Sequence, residues 1–392
     1  MLDIVPKNQS ASGDPMEMRE LAARICRDYL QGAWKKVTPK NIGFKHITGG
    51  LSNFLYQVSL PDFLASESPK DKNEPRDVLI RIYGQTHGEG ALEALITESV
   101  VFTLLSEQGL GPKLLGIFPG GRIEQYINAR PLLSREIADE KLSVQIAKKM
   151  AAIHSMEVPL HKEPVWLWNT IDKYLQTFSS MQLQVPDTCG SSFSTVELKA
   201  EAEWLRTRLE AENSPVVFCH NDLQGGNILL QNSAEDDSDE DELVIIDYEY
   251  CAYNYRAFDI ANHFVEWVYD YRYHSHPYFK ENWSNYPSEK QRLTFIRTYL
   301  KEVGSRENPK KVMREVEAFT MVTHLLWTAW ALTNAGMSNI PFGYWEFASA
   351  RLKNYYQIKQ KYTSGMQLKR KMDELTMLSP GESDGSARKL PN

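Results

Sequence analysis

Cys219-His220-Asn221-Asp222-Leu223-Gln224-Gly225-Gly226-Asn227-Ile228-Leu229-Leu230, followed by Leu243-Val244-Ile245-Ile246-Asp247, is the stretch on which the fold of this chain turns. An apolar approach leads into a polar, glycine-containing loop. Two short apolar runs then bracket an insert and end on a carboxylate. A hydroxyl attacking phosphorus needs a carboxylate within hydrogen-bond reach to accept its proton, and Asp222 is placed for that role. A transferred phosphoryl group and its polyphosphate leaving group also need a hard cation with oxygen ligands. Asn227 offers a neutral oxygen and Asp247 a charged one. An isolated Asp222 would read as a loop cap. His, Asp, Asn and a second Asp in this order, flanked by strand-like runs, read as a phosphotransferase site.

The same order, H-x-D, then Asn five residues after the Asp, then a separate Asp, occurs in protein kinases. Ile228–Leu230 and Leu243–Ile246 are expected to pair as a two-stranded ribbon that brings Asn227 and Asp247 together. The acidic run Glu235–Glu242 (EDDSDEDE) then falls at the far tip of that ribbon. It reads as a solvated loop, because it lacks the glycine and spacing of a calcium loop.

Upstream, residues 42–128 read as five strands and one inserted helix. FKHITGG, NFLYQVSL, DVLIRIYG, KLLGIFP and GRIEQYI are short runs of β-branched and aromatic residues. Leu92, Leu95, Ile96, Val100 and Leu104 recur at helical spacing between Glu89 and Gln108. Asp14-Pro15 is expected to open a first helix that runs to Trp34. Ala65–Arg76 reads as a loop. Thr48-Gly49-Gly50-Leu51-Ser52-Asn53 lies between two strands, where glycine lets backbone approach a phosphate. Two glycines there are equally a plain turn, and no Walker P-loop occurs. Arg81 lies on a buried strand and needs a partner. The expected partners are Glu98 on the following helix and a nucleotide phosphate. Glu124-Gln125-Tyr126-Ile127-Asn128 is placed to offer backbone hydrogen bonds to an adenine.

Beyond Arg130-Pro131 the pattern turns helical, at Glu140–His154, Asn169–Met181, Ser191–Glu212, Ala257–Tyr273, Glu289–Val303, Pro309–Asn334 and Tyr344–Met366. Ser379–Asn392 reads as a loose tail. The fold class is therefore α+β and two-lobed, with a β-rich lobe at 1–128 and a helical lobe at 129–392. Tyr250, Glu266, Tyr271, Trp327, Trp330, Phe342 and Phe347 place aromatic rings and a carboxylate in the second part. They read as core packing or as a box for a cation such as a quaternary ammonium. His263 and His324 read as core groups, and Asp259 as a helix cap or a brace for the catalytic loop. His274-Ser275-His276 lacks a third zinc ligand.

Composition bounds the rest. The 392 residues are 42% hydrophobic and 24% charged, which fits an ordinary globular protein. Net charge is −7, and without the seven carboxylates of 235–242 the acidic and basic residues balance. No basic face for nucleic acid is expected, and no run is long enough for a membrane span. Cys26, Cys189, Cys219 and Cys251 are too scattered for a zinc or redox pair and are expected as reduced thiols. With no signal-like start, the expected compartment is the cytosol.

CHNDLQGGNILL, VIIDYEYCAYNYRAFDIANHFVEWVYDY and FGYWEFASARL resemble the choline/ethanolamine kinase family, and the likeness runs from Trp34 to Tyr362. The resemblance implies a protein-kinase-like fold, ATP as co-substrate and Mg²⁺. It further implies transfer of the γ-phosphoryl group to choline, a homodimer, and the first step of phosphatidylcholine synthesis. By motif, Asp222 is the base, Asn227 and Asp247 hold magnesium, and Gln224 lies by the nucleotide. Gly49, Gly50, Leu51, Ser52, Asn53, Arg81 and the stretch Glu124, Gln125, Tyr126, Ile127 and Arg130 contact ATP, as does Asp247. Tyr250, Glu266, Tyr271, Trp327, Trp330, Phe342 and Phe347 surround the trimethylammonium group, which moves the aromatic cluster from core to pocket. Phe347 stands where related choline kinases often have Tyr, and Thr48 where Arg is expected. Rival readings are an ethanolamine or dual-specificity kinase, an aminoglycoside- or protein-directed kinase, and a non-catalytic binding protein with this fold. Aromatic enrichment argues against polycationic sugars, and the intact Asp222, Asn227 and Asp247 set argues against the last.

Overall fold

In the computed structural model, residues 15–47, 53–67, 74–83, 91–186, 193–231 and 243–377 are described. The expected glycine loop at 48–52, the acidic run, Cys189 and the tail from 379 lie outside them.

A helix α1 (Pro15–Tyr29) precedes β1 (Gly43–Ile47) and β2 (Asn53–Ser59). The short helix α2 (Asp62–Glu67) and β3 (Asp77–Tyr83) follow, then α3 (Ala91–Glu107), β4 (Leu114–Phe118) and β5 (Gly121–Gln125). The five strands form one antiparallel sheet in the order β1-β2-β3-β5-β4. Period-2 alternation divides its side chains between two faces. Val58, Val78, Ile80, Ile82 and Ile123 bury one face against Leu21, Ile25 and Cys26 of α1 and against Trp34. Each such side chain contributes about 1.5–3 kcal/mol when fully buried. The register places Lys45, Gln57, Leu79 and Glu124 in one row of the opposite face, and Ile47, Leu55, Arg81 and Arg122 in the next.

Two boundaries differ from the sequence reading. The first helix ends at Tyr29, because Gly32 takes a left-handed φ of 60° and the chain continues as a 3₁₀ turn, Gly32–Lys36. The expected loop at 65–76 begins inside α2, which pins Leu64 into the core.

After the sheet come β6 (Ala129–Pro131), α4 (Ser134–Ile137), α5 (Glu140–His154), α6 (Val165–Met181) and α7 (Thr195–Glu210). Asp139 caps α5 by accepting from the backbone N–H groups of Lys141 and Leu142. Then follow β7 (Val216–Cys219), β8 (Ile228–Gln231), β9 (Leu243–Ile245), β10 (Ala252–Tyr255) and α8 (Arg256–Glu266). The last elements are β11 (Tyr269–Asp270), β12 (Lys280–Glu281), α9 (Glu289–Glu302), α10 (Pro309–Met337) and α11 (Tyr344–Met377). The expected ribbon is present as β8–β9, with β6 added as a third strand. The helix expected at 257–273 stops at Glu266, because Tyr269-Asp270 pairs with Lys280-Glu281. The β7–β10 pair was not legible, as four-residue strands carry too little alternation to register.

The chain divides into two compact units. The first comprises residues 1–167, 213–316 and 339–342; the second comprises 168–212, 317–338 and 343–392. The first unit holds the sheet together with the loop at 220–227.

Candidate active site

β7 delivers the chain to His220 and its pairing with β10 fixes the exit. The loop that follows is held from beneath by one buried carboxylate. Asp259 on α8 accepts from the backbone N–H of His220 at 2.9 Å and of Asn221 at 2.9 Å. His154, the last residue of α5, meets the same carboxylate through Nε2 at 3.0 Å and Tyr299 through Nδ1 at 2.9 Å. His154, Cys219 and Asp259 lie close enough to suggest a metal site. Both ring nitrogens of His154 are already committed, so the cluster is a hydrogen-bond hub. Burial pushes Asp259 up, but the His154 bond and charge and the His220 N–H outweigh it and hold the carboxyl below its ordinary value.

Asn221 adopts a left-handed φ of 66°, a conformation Asn tolerates. Its Nδ2 donates to the Tyr250 carbonyl at 2.9 Å, and its Oδ1 accepts from Asn254 at 2.8 Å. His220 donates from Nε2 to the Ile246 carbonyl at 3.0 Å, and its Nδ1 accepts the Asp222 N–H at 3.3 Å. These bonds assign the neutral tautomer, consistent with burial lowering its pKa. One residue thus ties the Asp222 loop to the residue before Asp247. His263 holds the other flank, with Nδ1 donating to the Leu223 carbonyl at 2.9 Å.

Asp222 and Asn227 meet directly: Asn227 Nδ2 donates to Asp222 Oδ2 at 3.0 Å and to its carbonyl at 2.8 Å. Burial raises the Asp222 pKa well above the ordinary value, and the charges of Glu266, Asp247 and Glu249 add to it. The Asp247 carboxyl is also raised, by burial first, against the pull of Arg81 and His220. With its amide nitrogen committed to Asp222, Asn227 keeps Oδ1 for a cation. Asn227 and Asp247 line one cavity of about 470 Å³. An amide oxygen and a carboxylate on that wall are the hard donors that suit Mg²⁺.

Arg81, Glu124, Gln125, Tyr126 and Ile127 line this same cavity, with Ile47, Leu55 and Leu79 as apolar walls. Gln224 and Arg130 are not among the lining residues. The Arg130 guanidinium instead makes a two-pronged pair with Glu136 at 2.7 and 2.8 Å. Gly49, Gly50, Leu51 and Ser52 lie outside the described residues, and Asn53 is described only as the start of β2.

The pairing expected between Arg81 and Glu98 is not formed. Arg81 Nε donates to Glu124 Oε1 at 2.8 Å, while Glu98 accepts from Arg122 at 2.8 Å. The reason is register: Glu124 projects from the neighbouring strand on the same face as Arg81 and is nearer. Arg122 was missed, although its alternation with Glu124 in G-R-I-E-Q was the available signal. His154 carried none.

Of the residues expected around a cation, Tyr250, Glu266, Tyr271 and Phe342 belong to the first unit. The Tyr271 hydroxyl donates to Glu266 at 2.8 Å, its ring stacks on Tyr269, and Phe342 lies 6.4 Å from it. Tyr250 packs edge-on to Trp166. Trp327, Trp330 and Phe347 belong to the second unit, where Trp330 meets Trp327 at 5.7 Å and Phe347 at 6.2 Å. The guanidinium of Arg351 lies over the Phe347 ring at 4.8 Å, so that ring already carries a cation.

A five-stranded antiparallel sheet bearing the cavity's arginine, an H-x-D loop with its asparagine, and a second aspartate beyond a short ribbon define a protein-kinase-like phosphotransferase. Comparison with known proteins narrows this class. The Choline/ethanolamine kinase profile matches residues 44–356. A choline/ethanolamine kinase of Rattus norvegicus is 43% identical over 92% of this chain and 91% of its own length. Choline kinase alpha of Mus musculus is 41% identical over 88% and 81%. The crystal structure of choline kinase from Cryptosporidium parvum superposes with a TM-score of 0.71 at 28% identity, covering 88% of this chain and 96% of that one. The chain belongs to the choline/ethanolamine kinase family.

Proposed function

We propose that this protein transfers the γ-phosphoryl group of ATP to choline, giving phosphocholine and ADP. The observation that carries the reading is the cavity wall shared by Arg81, Asn227 and Asp247, with Asp222, itself not a lining residue, hydrogen-bonded to Asn227. Asp222 orients the choline hydroxyl and takes its proton as the oxygen attacks phosphorus in line and the bond to the β-phosphate oxygen breaks. Burial and three neighbouring carboxylates raise its affinity for that proton. Asn227 and Asp247 would hold magnesium, which when bound offsets charge on the phosphates and on the departing ADP. Arg81, paired with Glu124 and lining the cavity, is placed as a phosphate contact. Gln125, Tyr126 and Ile127, which line the cavity, supply backbone and wall for adenine. Catalysis is then mostly positioning and electrostatics.

Glu266, Tyr271, Tyr250 and Phe342 are proposed to receive the ammonium head, while Trp327, Trp330 and Phe347 carry that role by the family resemblance alone. A trimethylammonium donates no hydrogen bonds and suits rings and a carboxylate. A primary ammonium would need more acceptors than the buried Glu266 supplies, which favours choline over ethanolamine. The family resemblance supports a cytosolic homodimer that feeds phosphatidylcholine synthesis, and sedimentation tests the dimer.

The decisive assay is ATP turnover with choline and ethanolamine side by side, in wild type and Asp222→Ala. Turnover on choline, abolished in Asp222→Ala while ATP still binds, is the expected result. Near-normal turnover of the variant would refute the base, and faster turnover of ethanolamine would refute the substrate.

A further inference from the structure

Beside the cavity runs a row of four alternating charges, Arg81, Glu124, Arg122 and Glu98, of which Arg81 and Glu124 line the cavity and Arg122 and Glu98 do not. Arg122 Nε donates to Glu124 Oε1 at 2.7 Å, its NH1 nitrogen to Glu98 Oε1 at 2.8 Å and to the Tyr83 hydroxyl at 3.1 Å. Its guanidinium also sits over the Phe102 ring at 4.1 Å. Glu98 and Phe102 are both on α3, so that helix grips Arg122 twice. The same Glu124 Oε1 accepts from Arg81. Arg81 and Arg122 are directly opposite on β3 and β5, a like-charged pair that would repel without the carboxylate between them. Gly121 lets the two strands close up here, since a Cβ would collide with the Arg81 carbonyl oxygen.

We infer that Arg122 is a positioning residue for ATP: it joins Glu98 of α3 to Glu124 and, through their shared oxygen, fixes the Arg81 guanidinium in the nucleotide cavity. This rests on the nucleotide reading above. Protein kinases pair the strand cation with the helix glutamate directly; here an Arg–Glu pair is interposed, so helix and nucleotide cation are linked in series. Arg122 and Glu124 are both almost fully buried, and loss of either charge leaves the other with one ionic partner instead of two. Without Arg122, Glu124 belongs to Arg81 alone and draws it out of line, while Glu98 has no cation to hold.

The test uses the full chain as wild type, Arg122→Met, Arg122→Lys, Glu98→Gln and the Glu98→Gln/Arg122→Met double variant. Binding of a fluorescent ATP analogue is titrated, and KM is measured for ATP and for choline. The expected result is at least a tenfold rise in the analogue Kd and ATP KM for Arg122→Met and a smaller rise for Glu98→Gln. Choline KM is expected within twofold, with no further loss in the double variant. A purely structural role would move both substrates alike. Uniform effects, additive losses, or ATP constants within twofold of wild type overturn the inference. Arg122→Lys keeps the charge but cannot reach both carboxylates. It is expected to show the same split, and it decides the matter if Arg122→Met does not fold. Wild type that binds no nucleotide analogue would sink the nucleotide reading itself; binding that ignores Arg122 sinks only the relay.

Discussion

Replacing Asp259 with Asn tests whether one buried carboxylate holds the catalytic loop. The change is isosteric, so no cavity is made. Its cost follows from the bonds Asp259 makes. Oδ2 accepts from the His220 N–H and from His154, and Oδ1 from the Asn221 N–H. An Asn amide can place its oxygen on only one side. In its better orientation the oxygen keeps His220 and His154, and the NH₂ group faces the Asn221 N–H, leaving that donor orphaned. An orphaned buried donor costs about 1–3 kcal/mol, and each of the other two bonds loses about 1 kcal/mol on going from a charged to a neutral acceptor. The expected destabilisation is therefore about 3–5 kcal/mol in urea denaturation at neutral pH. Asn221 adjoins Asp222, so a shift of this loop also misplaces the base. A displacement near 1 Å lowers kcat by about 10²-fold, with ATP affinity unchanged. Because the folded Asp259 carboxyl titrates below its ordinary 3.8, its contribution is intact above that pH and disappears as pH falls through the lower folded value. Destabilisation under about 1 kcal/mol with wild-type kcat would refute the reasoning, since the three bonds would then be worth less than one ordinary hydrogen bond.

Two further outcomes follow from the site. His263 is buried and neutral, its pKa lowered by burial from 6.5 to about 4. The unfolded chain therefore binds a proton between those values that the folded chain does not, and stability falls as pH drops from 6.5 to 4. The total is about 3 kcal/mol. His263→Gln is expected to flatten this slope in urea titrations across that window, and an unchanged slope counts against it. Trp327→Ala is expected to raise choline KM by about 30-fold, the equivalent of about 2 kcal/mol for a desolvated cation–π contact. ATP KM should stay within twofold; equal rises for both substrates would remove Trp327 from choline binding.

How much was legible without coordinates depended on how local each feature is. The ribbon that ends at Asp247 is set by residues close in sequence, and so its pairing was legible. So were Glu140–His154 as a helix and the five strands of 42–128, whose patterns are periodic over their whole length. What failed was pairing at a distance. Arg81 takes Glu124, 43 residues away, because antiparallel register sets the two on one face. The β7–β10 ladder, which fixes where the Asp222 loop begins, joins segments too short to announce themselves. His154 reaches Asp259 across 105 residues, and no motif surrounds it. The family resemblance put Arg130 among the ATP contacts; its guanidinium pairs with Glu136, six residues on.

The sequence by itself therefore determined the family motif, the chemical groups it carries and their order along the chain, since side-chain identity and short-range periodicity need no tertiary information. Only the tertiary structure decided which of those groups share charge. Ion pairs and buried hydrogen bonds depend on distances of about 3 Å, and strand register and helix packing set those distances between residues that sequence keeps far apart.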